Sequence, residues 1–264
     1  INISGSKSES NRLLTLRAYT SFFNINNLSD SDDTKTMISS LKSDKEEINI
    51  GHAGTAMRFL TSYYSSILNS SKILTGSSRM KERPILILVE ALNNLGADIE
   101  YIDRKGYPPI KINGKLIYGN EIALPADVSS QYISSLMMLG VSINQGLKIK
   151  LSTKITSLPY IHMTKKIIER IGGIVDIKPD EIIIKQLVSN KIPDQIVESD
   201  WSSASYFYSL VALSDSSYIT LSSFFNNSIQ GDSRIVDIYK QFCFNTKLFI
   251  YCLLYTSPSP RDSD

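Results

Sequence analysis

The chain has 264 residues, of which 42% are hydrophobic and 20% charged, and its formal net charge at pH 7 is +2. That length suits one large domain or two modest ones with a sizeable core, and the composition is that of a globular protein. The even charge balance argues against a nucleic-acid-coating surface, so basic residues matter here by position. Two Cys, Cys243 and Cys252, and two isolated His, His52 and His162, suggest neither a disulfide framework nor a metal site. The apolar run "LFIYCLLY" is far shorter than the roughly 20 residues of a membrane span. No signal peptide is visible, and Ile1 opens the chain without an initiator Met. A cytoplasmic location is the default expectation, with no membrane and no nucleic acid as partners.

Taken in chain order, "SGSKSESNR" (4–12) leads into "SNRLLTLRAY", where Leu13, Leu14, Leu16 and Tyr19 offer an apolar helical face. Lys7 and Arg12 flank this loop-to-helix junction, where free N–H groups and the helix dipole favour an anion. A Ser cap with two solvated cations accounts for the same residues. "GHAGTAMRFL" (51–60) places Gly51 and Gly54 before a second helix, with Arg58 one turn in. Missing side chains there allow close approach to the backbone, though an ordinary tight connection also fits. "LTGSSRMKERPI" (74–85) carries Arg79, Lys81 and Arg83, which an extended loop would set on one side, with Pro84 opening a helix. Such arginines grip oxyanions bidentately; a solvated basic loop is the alternative. "DVSSQYISSL" sets Ser129, Ser130 and Gln131 at a helix start, and "TSLPYIHM" sets Ser157 before a Pro with Tyr160 just inside.

The same pattern recurs along the chain. Four small polar clusters start apolar helices: "SESNRLLTLRAY", "AGTAMRFLTSYY", "SSQYISSLMMLG" and "SSASYFYSLVAL". β-like segments follow ("KILTG", "LKIKLS", "YITLSS"), then second helices, two of them ending at Gly96 and Gly172–Gly173. Strand pairs come next in "ADIEYIDRKGYPPIKING" and "IVDIKPDEIIIK". The unit reads βαβαββ, three copies nearly complete by about residue 190 and a fourth breaking off. An α/β protein with helices packed under sheets is the predicted fold class. After Phe242 the Ser/Pro-rich end reads as a disordered or non-native tail over 243–264.

In this order and at these spacings, the five motifs resemble the 3-phosphoshikimate 1-carboxyvinyltransferases, also called 5-enolpyruvylshikimate-3-phosphate synthases. "GYPPIKING", "SDWSSASYF" and "NNSIQGD" carry the resemblance to about residue 240. It implies the enolpyruvyl transferase fold, two domains of three βαβαββ units with substrates in the cleft between them. Residues 1–197 then correspond to one complete three-unit domain and 198–242 to the start of the second. The implied reaction moves the enolpyruvyl group of phosphoenolpyruvate onto the 5-hydroxyl of shikimate 3-phosphate and releases phosphate, in the shikimate pathway of aromatic amino-acid biosynthesis.

Position by position, the resemblance assigns Lys7, Ser8, Arg12, Ser129, Ser130, Gln131, Ser157 and Tyr160 to shikimate 3-phosphate. It assigns Lys7, Gly54, Arg79 and Gln131 to phosphoenolpyruvate. No metal or other cofactor is implied, and a monomer is expected at full length. His52 stands where many members have Asn, Leu158 replaces a commonly basic residue, and His162 replaces an acidic one. The general acid and base belong to the other domain, so no catalytic residue is expected in this chain, and it should not turn over. Two other readings are a non-catalytic phosphate-binding module and a UDP-N-acetylglucosamine enolpyruvyl transferase, which has Asn after the first Lys where Ser8 stands here. An RNA 3′-terminal phosphate cyclase shares related repeats but is opposed by the weak net charge.

Overall fold

The computed structural model describes residues 1–241, apart from 126, 128, 154–156, 189–190 and 215–216. The expected tail over 243–264, with Cys243 and Cys252, lies outside the described residues. Helix α1 (Lys7–Tyr19) leads to a short strand β1 (Ile25–Asn26) and α2 (Asp32–Leu41). A βαβαββ unit follows: β2 (Glu47–Asn49), α3 (Gly54–Ser65), β3 (Ser71–Thr75), α5 (Leu86–Asn94), β4 (Asp98–Tyr101) and β5 (Ile110–Asn113). One short extra helix, α4 (Ser78–Lys81), sits between β3 and α5. The second unit comprises β6 (Glu121–Leu124), α6 (Ser130–Gly140), β7 (Leu147–Leu151), α7 (Leu158–Arg170), β8 (Val175–Ile177) and β9 (Glu181–Ile184). Strand β10 (Gln195–Ile196), α8 (Trp201–Ala212), a 3-10 turn over Gly231–Arg234 and α9 (Ile235–Lys240) complete the described chain.

The two units form sheets of identical order, β2-β3-β5-β4 and β6-β7-β9-β8, each with one parallel pair and two antiparallel ones. A parallel pair needs a crossover, which α3 and α6 provide. Alternation along "LKIKL" buries Leu147, Ile149 and Leu151 and leaves Lys148 and Lys150 on the other face. Gly96 and Gly172 take φ values of 103° and 91° just past α5 and α7, the left-handed stops foreseen in the sequence.

Two of the three expected units are complete. Among the described residues the α1-β1-α2 segment has no hairpin of its own; β1 instead pairs in parallel with β10, Ile25 opposite Gln195. The first group of elements thus finds its strand partner near residue 195. "YITLSS" forms no strand either. Its backbone is held by isolated bonds, with the Ile1 ammonium donating to Thr220 O and Ser199 N–H to Ser223 O.

Helix α1 touches α2, α3, α6 and α7, so every residue from Glu9 to Leu16 is buried. Burying Leu13, Leu14 and Leu16 contributes about 1.5–3 kcal/mol each. The polar residues among them need partners. Ser10 Oγ accepts the Ser29 N–H at 2.9 Å, Asn11 Oδ1 accepts from Thr34 Oγ1 at 3.0 Å, and Thr15 Oγ1 donates to Asn11 O. Ahead of α1, Gly5 bridges Ser199 in antiparallel fashion, and Ser6 N–H donates to Glu198 O at 2.8 Å. A Cβ on Gly5 would lie 1.8 Å from Asn27 O, so only glycine fits this crossing.

Candidate anion-binding site

Lys7 is the first residue of α1 and exposed, 3.9 Å from Asp33. Arg12, one turn on, is 2% exposed. Its Nε donates to Thr164 Oγ1 at 2.7 Å, Nη1 to Ser8 O at 2.8 Å and Nη2 to Ser134 Oγ at 3.1 Å. The rings of Phe59 and Tyr160 flank the guanidinium at 5.5 and 5.8 Å. All these partners are neutral, and no carboxylate pairs with Arg12 among the described residues. Burial lowers its pKa to about 10, with Tyr160 and Glu9 opposing, so it stays a cation at neutral pH. A buried charge without a counterion is costly. Solvated surface cations therefore describe Lys7 but not Arg12.

The second junction is built on Gly51, at φ 56°, and Gly54, the first residue of α3. A Cβ on Gly54 would sit 2.3 Å from Arg83 Nη1, so the Arg83 guanidinium lies directly over that backbone. Arg58 is buried; its Nη1 donates to Gly54 O and Nη2 to Pro84 O, at 3.1 and 3.2 Å. Its Nε has no partner, and burial again lowers the pKa. Ser77 straps the next segment to this loop. Its N–H donates to Gly51 O, its hydroxyl lies 2.9 Å from His52 Nδ1, and it caps α4 by accepting the Met80 N–H.

Residues 78–81 are therefore helical, which corrects the extended loop expected for Arg79, Lys81 and Arg83. The Ser77 cap is the cause. Arg79 and Lys81 are exposed on α4, and Arg83 folds back over Gly54. Pro84 does not open a helix. Its carbonyl is taken by Arg58 and by Tyr132 OH at 2.6 Å, and α5 begins at Leu86.

Ser129 caps α6 by accepting the Gln131 N–H, and Ser130 is the first helical residue. Gln131 Nε2 donates to Thr55 Oγ1 at 3.2 Å, tying the start of α6 to that of α3. Ser157 precedes α7 without a side-chain cap bond, and Pro159 lies in the first turn. Tyr160 is 43% exposed with its ring beside Arg12. Leu158 and His162 are exposed. A Cβ on Gly231, from the turn after α8, would lie 3.1 Å from Pro159, so that turn closes one side of the α7 start.

Of the ten residues that the resemblance assigns to substrates, nine thus fall on the caps or first turns of α1, α3, α4, α6 and α7, and Arg12 lies in the second turn of α1. Direct contacts join these elements: Arg12 links α1, α6 and α7, Gln131 links α6 and α3, and Ser77 links α4 to the loop before α3. Helix starts and hydroxyls beside cations are the kind of groups that can bind oxyanions. Sequence reasoning missed Ser134, Thr164 and Thr55. Ser134 and Thr164 lie four residues after Ser130 and Tyr160, and this helical spacing was the available signal. Among the described residues no group of three or more His, Cys, Asp and Glu is arranged to hold a metal ion.

Residues 38–246 match the family described as EPSP synthase (3-phosphoshikimate 1-carboxyvinyltransferase). The chain belongs to the EPSP synthase family. A 3-phosphoshikimate 1-carboxyvinyltransferase of Bacteroides fragilis is 44% identical over 240 residues, 90% of this chain and 58% of that protein. Its counterpart in Tolumonas auensis is 34% identical over 272 residues, 91% of this chain and 62% of the relative. The solved EPSP synthase of Acinetobacter baumannii superposes with a TM-score of 0.75 over 91% of this chain and 58% of that one, at 20% identity. The fold is therefore that of EPSP synthase, and the chain spans about three fifths of these relatives' length.

Proposed function

We propose that the protein to which this chain corresponds transfers the enolpyruvyl group of phosphoenolpyruvate to the 5-hydroxyl of shikimate 3-phosphate, releasing phosphate. The observation that carries this reading is Arg12, a buried cation that no carboxylate pairs with directly among the described residues, ringed by helix starts in a chain of this family. Ser129, Ser130 and Ser157 hold the phosphate of shikimate 3-phosphate with N–H groups at the starts of α6 and α7. Ser8, Arg12 and Tyr160 border its ring. Lys7 and Gln131 face both substrates. The Gly54 backbone and Arg79 take the phosphoenolpyruvate anion, where Arg79 supplies the bidentate grip that lysine lacks. His52 keeps a hydrogen-bonding group where many members have Asn.

In the reaction, the methylene carbon of phosphoenolpyruvate gains a proton while the 5-hydroxyl oxygen bonds to the central carbon and gives up its own. Loss of phosphate from the tetrahedral adduct, with removal of a methyl proton, restores the double bond. Residues on this chain bind and orient. The acid and base come from the remaining two fifths of the protein's length, so residues 1–197 act as a substrate-holding domain and 198–242 begin its partner. The enzyme works in the cytoplasm as a monomer. Among the described residues no helix is long and apolar enough to cross a membrane.

Calorimetry and a phosphate-release assay on the 264-residue chain test this reading. Shikimate 3-phosphate should bind without turnover. Absence of binding by the folded chain contradicts the assigned site, and turnover contradicts the assignment of acid and base to the other half.

A further inference from the structure

We propose that Glu9, with Arg170 and Glu198, is a positioning device that locks the anion-binding start of α1 to the strand crossing at Gly5–Ser199, where Trp201 senses it. The inference rests on the reading of Lys7, Ser8 and Arg12 as substrate contacts, and it gives Glu9, which lies between them, a role of its own.

Glu9 is fully buried on the third position of α1. One carboxylate oxygen accepts from Arg170 Nη1 at 2.5 Å, near the end of α7, and the other accepts the backbone N–H of Glu198 at 3.3 Å. Glu198 is also fully buried and is the hub of the crossing. Its Oε1 accepts from Trp201 Nε1 at 2.8 Å and from the Phe225 N–H at 2.9 Å; its Oε2 accepts from Ser228 Oγ at 2.6 Å and Gln230 Nε2 at 3.3 Å. Ser6, just before Lys7, donates its N–H to Glu198 O. One continuous set of bonds therefore runs from the residues around Lys7 through Glu9 and Glu198 to the first residue of α8.

Two buried carboxylates at this spot are an expensive way to gain stability, because an apolar pair of similar volume does as well. What they supply is geometry. Arg170 fixes α7, whose start carries Ser157 and Tyr160, against α1, whose start carries Lys7. Glu198 fixes both against the crossing. Either helix sliding along the other would break a directed, charge-assisted bond.

Trp201 is the chain's single tryptophan, so its emission reports on the far end of this set. The test compares the full 264-residue wild type with Glu9→Gln and Arg170→Gln, each checked for a native far-UV spectrum, at a temperature well below unfolding. Glu9→Gln should shift the Trp201 emission of the ligand-free protein although the residue 9 side chain is not bonded to the indole. It should also weaken shikimate 3-phosphate by roughly two- to thirtyfold. Arg170→Gln, altered from its partly exposed end, should move both readouts in the same direction, and it carries the test if Glu9→Gln does not fold. Unchanged emission in the folded variants overturns the proposal and leaves Glu9 an ordinary structural ion pair. If the wild type binds no shikimate 3-phosphate, the functional reading fails, while the emission comparison still decides the relay.

Discussion

Helices α6 and α8 read almost alike, "SSQYISSLMMLG" against "SSASYFYSLVAL", yet they end in opposite states. Helix α6 packs on α1, α3, α7 and β7, and every residue from Tyr132 to Gly140 is buried. In α8 only Trp201 and Ala204 are buried, while Tyr206 and Leu210, with Leu213 just past its end, are 74%, 56% and 87% exposed. The period of apolar residues defines a face in both cases. What buries that face is the company of several neighbouring helices and a sheet, which α6 has within residues 1–197, whereas α8 meets the Gly231–Arg234 turn and the short α9, with Tyr208 edge-on to Tyr239. The candidate site's helix starts lie on the well-packed side of this divide, where Arg12 is held by the closed core while Lys7 and Arg79 stay exposed.

The sharpest way to break this comparison is to truncate one leucine in each helix. Leu136→Ala, at a fully buried position in α6, should cost about 2–5 kcal/mol in urea unfolding. Leu210→Ala in α8 should stay within about 0.5 kcal/mol. Equal losses would mean that α8 is as well packed as α6.

Caps sharpen the contrast on a smaller scale. Ser129 accepts the Gln131 N–H at 3.3 Å, and Asp200 accepts from both Ser203 N and Ser203 Oγ at 2.8 Å. Replacing either cap by Ala should cost its helix about 1 kcal/mol. Ser129→Ala should lower the global unfolding midpoint, because α6 unfolds with the core. Asp200→Ala should instead speed amide exchange in α8 and leave the midpoint nearly unmoved. A midpoint shift of the same size in both variants would contradict the distinction.

Much of this architecture is legible in the amino-acid sequence. Helix starts, the two glycine stops and both hairpins follow from local chemistry: small hydroxyl residues before apolar periods, Gly at φ above 90°, and alternating runs such as "LKIKL". Regions where local signals deceive have identifiable causes. Ser77 caps a helix turn in a stretch whose alternating basic residues suggest an extended loop. The carbonyl of Pro84 is engaged by Arg58 and Tyr132 from other elements, which no local pattern announces. The pairing of β1 with β10 spans about 170 residues. Arg12 is legible as a cation at a junction, but its burial depends on Thr164 and Ser134 from two later helices.

The smallest expected effect is electrostatic and concerns the closed side alone. Burial holds the Glu9 carboxyl above its ordinary value of 4.5, although Arg170 pulls the other way. Between 4.5 and the raised value, the folded protein keeps a proton that the unfolded chain has released. The contribution of this group to stability is thus full below about 4.5 and declines as pH rises through the raised value. Glu9→Gln cannot titrate, so urea midpoints from pH 4 to 7 should move in favour of the variant relative to wild type as pH rises. A difference independent of pH would contradict the assignment.

The central claim is that Arg12 is kept buried, with no carboxylate bonded to it among the described residues, to receive a phosphorylated anion. Phosphorus NMR of shikimate 3-phosphate, titrated with wild type and Arg12→Met, tests this most directly. The phosphate resonance should shift or broaden with wild type, and the variant should bind more weakly by about 2–5 kcal/mol while remaining at least as resistant to urea, because a buried charge has been replaced by a methionine. Equal perturbation of the resonance by both proteins would contradict the account.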